Sequence, residues 1–111
     1  MHIEISTGTR VFVDVSGVTA KLESGLSRYR SRLTRVEAHL SDVNGPKGGP
    51  DARCTLEVRA AGLHPVAVMS DADTPDEAVK GAVEKMNRLL KSSLGRLDDA
   101  NRHASASGLP T

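Results

Sequence analysis

At 111 residues, with Lys and Arg totalling 15 against 14 Asp and Glu, the chain has room for one domain, not two, and a formal net charge of +1. It is not a strongly basic chain whose composition alone announces nucleic-acid binding. Aromatics make up 2%, Phe12 and Tyr29, which argues against a single-strand binder built on rows of stacking rings. The one cysteine, Cys54, excludes an internal disulfide framework and a cysteine-built zinc site. No apolar run approaches the roughly 18 residues of a membrane span. Met1-His2-Ile3-Glu4 has neither the basic nor the apolar region of a secretory signal. The expectation is a soluble cytoplasmic domain.

Ile3 and Ile5 alternate with His2 and Glu4, the pattern of a short half-buried strand. Val11, Val13 and Val15 alternate again, as a second short strand or an extended connection. Val18, Leu22, Leu26, Tyr29, Leu33 and Val36 follow at spacings of 4, 4, 3, 4 and 3. Such spacing marks one buried helical stripe and predicts a helix over about 17–33. Gly25 inside it costs roughly 1 kcal/mol, which close packing would explain.

Three alternating runs come next. Val36, Ala38 and Leu40 alternate with Glu37, His39 and Ser41; Cys54, Leu56 and Val58 alternate with Thr55, Glu57 and Arg59; Pro65 to Met69 is a shorter run. The separators, 44–50 (NGPKGGP) and 61–64 (AGLH), are turn-rich and too short for a crossover helix. Three consecutive antiparallel strands are expected. Thr74-Pro75-Asp76-Glu77 then offers an N-cap, Pro at the first helical position and Glu three residues after the cap. Ala78, Val79, Ala82, Val83, Met86, Leu89 and Leu90 form the buried face of the last helix, expected to fray near 92–97 with Gly95 as terminator. Residues 98–111 are small and polar and read as a disordered tail, which leaves 1–97 as the folded domain. The order β-α-β-β-β-α is an α+β sandwich of two layers, a four-stranded sheet with both helices on one face.

Placed on helices, the near-zero net charge separates. Between residues 21 and 35, Lys21, Arg28, Arg30, Arg32 and Arg35 face one acid, Glu23. At about 100° per residue, Lys21, Arg28, Arg32 and Arg35 fall in an arc of about 60°. A contiguous basic stripe suits the regular spacing of backbone phosphates; flanking cations that merely pack their stems on a core stripe are the plainer alternative. On this helix too few carboxylates exist to neutralise the stripe. From Lys85 to Arg96 the last helix carries Lys85, Arg88, Lys91 and Arg96 and no acid. Favourable dipole interactions at a helix C-terminus explain one or two of these, not four.

Other constellations fail. Asp71 to Glu77 resembles the start of a calcium loop, but Asp76 stands where the loop needs Gly and Ala82 where it needs its closing acid. Helix capping explains those acids. His2, His39, His64 and His103 show no ligand spacing; His39 alternates outward on a strand, where it could meet phosphate. The loop at 44–50 matches no phosphate-loop pattern and reads as a hairpin connection. Cys54 alternates inward as an inert thiol. No nucleophile has a paired base in view, so no catalysis, cofactor, metal or small-molecule substrate is expected.

The chain resembles the ribosome hibernation promoting factors, also described as ribosome-associated translation inhibitors or ribosomal subunit interface proteins. The resemblance lies in Arg35 to Asp42 (RVEAHLSD), the loop 44–49, Asp51 to Cys54, Glu57 to Gly62, and Ala78 to Leu90 leading to Leu94-Gly95-Arg96-Leu97. It implies a fold similar to a double-stranded-RNA-binding domain. It also implies binding to the small ribosomal subunit and its rRNA, in the channel between head and body, where the protein would overlap messenger and transfer RNA positions. Translation would be blocked sterically in stationary phase or stress. The family's basic helix faces correspond to Lys21, Arg28, Arg32 and Arg35, and to Lys80, Lys85, Arg88, Lys91 and Arg96. Two departures stand out. Asp73 to Val79 lacks the tyrosine many members carry near the start of the last helix, and Ser92-Ser93-Leu94 replaces much of their lysine-dense run. Long members add a domain that pairs ribosomes, and a chain ending at Thr111 is expected not to pair them by that route. Two other readings fit the same pattern: a general structured-RNA-binding module, and a protein-interaction domain that keeps the fold without the ribosome.

Overall fold

A computed structural model describes residues 1–8, 11–43 and 51–107, with side chains through residue 102. Its elements are β1 (His2–Thr7), α1 (Val15–Gly25), a single 3-10 turn (Ser27–Tyr29), β2 (Leu33–Asp42), β3 (Ala52–Ala60), β4 (Val66–Ala72) and α2 (Pro75–Ser107). The strands lie in the order β1-β2-β3-β4. As expected, β2, β3 and β4 are antiparallel neighbours. β1 runs parallel to β2, with Ile3 opposite Val36 and Ile5 opposite Ala38. A parallel pair requires a crossover, and α1 supplies it. The connection at 44–50 and the side chain of His103 lie outside the described residues.

Alternation places Val36, Ala38 and Leu40 of β2 and Cys54, Leu56 and Val58 of β3 on one sheet face, all at 1% exposure or less. Val18 and Leu22 from α1 and Leu26, the residue that caps it, cover that face together with Ala78, Val79, Ala82, Met86, Leu90 and Leu94 from α2. The result is the two-layer α+β sandwich expected. Cys54 is buried within it, and burial pushes its thiol up to about 11. A thiol so protonated is a poor nucleophile at neutral pH. Val11 to Asp14 is an extended connection with Val11 and Val13 packed on the core, and Val15 opens α1.

Two helix ends differ from expectation. α1 stops at Gly25, eight residues short of the predicted end at 33. The stripe continuing through Tyr29, Leu33 and Val36 is shared among three elements. Between Leu33 and Arg35 the β2–β3 register shifts. This irregularity turns Leu33 and Val36, three apart, to the same inner face, at 3% and 0% exposure. A regular strand would put them on opposite faces, so the bulge mimics helical spacing. Gly25 does serve close packing: a Cβ there would lie 2.5 Å from Val83 Cγ1, where α1 meets α2.

The second difference is at α2. Thr74 Oγ1 accepts from the Glu77 backbone N–H at 3.2 Å, so the expected cap starts the helix. Fraying at 92–97 does not occur, and Asp98 to Ser107, expected to begin a disordered tail, are helical. Leu94 is still buried, and Leu97 packs against Gly62, the residue at φ 85° in the β3–β4 turn. Leu94 and Leu97 therefore give the helix apolar contacts through the stretch expected to fray.

Candidate nucleic-acid interface

The nine cations singled out from the sequence do not form two helical stripes. Lys21 remains on α1, Arg28 lies in the 3-10 turn, Arg32 in the turn before β2, and Arg35 on β2. The 60° arc is lost because the helix that would have carried it ends at Gly25.

Carboxylates from elsewhere in the fold claim three of these four. Lys21 Nζ is 2.9 Å from Asp76 Oδ1. Arg32 donates to both carboxylate oxygens of Asp98, at 2.9 and 3.2 Å. Arg35 points to the open sheet face and donates to Glu4 at 2.6 Å and Glu37 at 2.7 Å. Each acid is remote in sequence or on another element, except Glu37 two residues along β2. That open face continues as a charge ladder, with Arg53 on Asp71 and Arg59 near Glu57. His39 stands there, its Nδ1 2.7 Å from Ser6 Oγ, in a groove also lined by Glu4, Glu37 and Glu57. Arg35 and Arg59 pair with these three carboxylates, so the charge around His39 gives a phosphate no net attraction.

The guanidinium of Arg32 holds the Asp98 carboxyl below the ordinary carboxylate range, chiefly through their hydrogen bonds. A folded-state value lowered in this way gives stability that is complete above the unfolded value and lost as pH falls through the lowered one. Amide protection around 98–102, measured by hydrogen exchange and corrected for intrinsic rates, is therefore expected to hold at neutral pH and fall in acid. Asp98→Asn should show the weakened protection already at neutral pH. An Asp98 carboxyl titrating at its ordinary value by NMR would contradict this.

Lys80 of α2 and Lys21 of α1 border a groove whose walls also carry Asp76, Glu77 and Glu84. Three carboxylates outnumber two ammonium groups there, so no net attraction for phosphate results. Lys85 donates to the Met69 carbonyl oxygen of β4 at 2.7 Å. Arg96 is exposed further along the helix.

The structure does bring together Arg28, Arg88 and Lys91. They line one groove of about 280 Å³ between the end of α1 and the middle of α2, with Tyr29 and Asn87. All three are exposed, and none forms an ion pair with another described residue. Arg28 lies over the Tyr29 ring, 5.7 Å from its centroid, which holds the guanidinium at the mouth of the groove. Uncompensated cations converging from two elements make an anion site able to grip a phosphodiester backbone. Arg30 is also exposed and without an ion-pair partner among the described residues; helical projection had set it aside. Asn87 was missed as well. Its one sequence signal is a polar residue four positions after Val83, on the α2 face that meets α1.

Among the described residues no group of three or more His, Cys, Asp or Glu is placed to hold a metal ion, and no helix is long and apolar enough to cross a membrane.

The architecture is the α+β fold of ribosomal subunit interface proteins. It superposes on the Thermus thermophilus Protein Y N-terminal domain with a TM-score of 0.65 and 21% identity, covering 83% of this chain and 98% of that one. It is similar also to a ribosomal subunit interface protein from Coxiella burnetii, at a TM-score of 0.65 and 19% identity, covering 86% of this chain and 99% of that one. No protein-family model and no curated protein matches the chain. The fold implied by the resemblance to hibernation promoting factors is thus the fold found.

Proposed function

We propose that this chain is a ribosome-associated factor of the cytoplasm. In this reading it binds the small subunit and its rRNA near the mRNA/tRNA channel and inhibits translation sterically during stationary phase or stress, without catalysis. The observation that carries the reading is the groove of Arg28, Arg88 and Lys91, three unneutralised cations set on a fold shared with a ribosomal subunit interface protein. The near absence of aromatic rings supports recognition of structured RNA through its backbone and shape. In this reading Lys21, Arg32 and Arg35, each paired with a carboxylate, rank behind those three, and Lys80, Lys85 and Arg96 are peripheral candidates for RNA contact.

Sucrose-gradient fractionation of stationary-phase lysate tests this. The chain should sediment with 30S or 70S particles at low salt and leave them steeply as salt rises, because each phosphate contact released returns counterions. Absence from ribosomal fractions at low salt would refute it. Equal affinity for a bare RNA duplex and for the 30S subunit would favour a general structured-RNA-binding module instead.

A further inference from the structure

Asn87 lies on α2 where that helix passes the end of α1. Its Nδ2 donates to the Gly25 carbonyl oxygen at 2.8 Å. A carbonyl only accepts, so this bond fixes the amide and turns Oδ1 the other way. Oδ1 is buried and has no hydrogen-bond partner among the described residues. An acceptor left so is costly, about 1–3 kcal/mol, and buried polar groups are ordinarily matched. The same side chain lines the groove of Arg28, Arg88 and Lys91.

The two halves of this groove ask for different chemistry. Three cations attract a phosphate, whereas Oδ1 requires a hydrogen-bond donor, and a phosphodiester has none. In RNA the donor that accompanies each backbone phosphate is the ribose 2′-hydroxyl. An amino group on a base is the other candidate donor. A base held here would need a ring to stack on, and Tyr29 is packed against the core and covered by Arg28. The sugar is therefore the better match. Because Oδ1 is buried, this site requires the exposed Arg28 and Arg88 of the same groove to swing onto a phosphate as the ribose reaches it.

We infer that the groove of Arg28, Arg88 and Lys91 is a ribose-phosphate site in which Asn87 Oδ1 accepts the hydrogen of a 2′-hydroxyl, so that Asn87 distinguishes RNA from DNA. This rests on the nucleic-acid role proposed above for the same groove.

The probe is a mixed-sequence RNA hairpin in all-ribose, 2′-fluoro and 2′-deoxy forms, with binding read by fluorescence anisotropy at about 50 mM salt. The 2′-fluoro form keeps A-type geometry and every phosphate but has no 2′ hydrogen to donate. The native protein should bind it about five- to tenfold more weakly than the ribose form, the worth of one hydrogen bond. Asn87→Leu should bind the two forms equally, with thermal unfolding confirming that it is folded. The ribose-against-fluoro comparison needs no variant, so a misfolded Asn87→Leu would not blunt the test. Equal native affinity for the two forms would overturn the inference, and so would failure to bind the ribose hairpin at that salt. Failure to sediment with ribosomes would instead overturn the proposed function and leave the hairpin result standing.

Discussion

Reversing Arg28, Arg88 and Lys91 together to Glu is expected to release the chain from ribosomal particles, with a loss of roughly 10³-fold or more in affinity. Hydrogen bonds to charged groups contribute about 1.5–3 kcal/mol each, and three such contacts multiply to at least that factor. The salt dependence should change with it. Each phosphate contact adds about 0.7–0.9 to the slope of log affinity against log salt, so the slope should fall by roughly 2. The fold should survive, because all three side chains are exposed and bear no ion pairs to described residues. Neutralising Arg53 and Arg59, which sit on the open sheet face beside Asp71 and Glu57, should leave ribosome affinity within about threefold, since screening weakens exposed charges that make no contact. Sedimentation of all variants across one salt series measures both quantities. If the groove variant stays bound while the sheet-face variant is released, the interface lies on the wrong layer.

The elements legible in the sequence are those whose signal is local. Thr74 and Pro75 mark the start of α2 because a cap is chemistry within four residues. Cys54, Leu56 and Val58 mark β3 because one sheet face is buried and the period is two. The ends of α1 and α2 depended on contacts that no local pattern carries. The bulge beside Leu33 is set by pairing with β3, and it made a strand entrance read as a helical turn. The continuation of α2 depends on Gly62 and Arg32, residues far back in the chain that meet Leu97 and Asp98 only after folding.

The site was half legible for the same reason. Counting cations gathers the residues that line the groove among others, but not which of them lack an ion-pair partner among the described residues. Whether an arginine is available for RNA depends on where the carboxylates fall. Arg32 is claimed by Asp98 across 66 positions of sequence, and Lys21 by Asp76 across the interhelical groove. Arg28, Arg88 and Lys91 combine the lack of such a neighbour among the described residues with convergence in one groove, a property of the fold. Asn87 carried even less signal, since its meaning depends on a backbone carbonyl, that of Gly25, on another helix.

Substitutions at Gly95 should decide by their sign how far α2 extends. If the helix ended there, Gly95 would hold the left-handed conformation of a helix terminator, and Gly95→Ala would destabilise the protein. In the structure Gly62 is the positive-φ glycine among the described residues, whereas Gly95 lies within α2 and a Cβ on it meets nothing within 4 Å. Gly95→Ala is therefore expected to stabilise the chain by about 1 kcal/mol, the helix-propensity difference. Gly95→Pro should cost about 3 kcal/mol, because the ring removes the bond to the carbonyl one turn back and collides with it. The loss should be greatest in the segment that follows, where Leu97 rests on Gly62 and Asp98 holds Arg32. Chemical denaturation gives the two signs, and hydrogen exchange locates the effect. A destabilising Ala with a harmless Pro would return the helix end to Gly95 and leave Arg32 without its carboxylate partner Asp98.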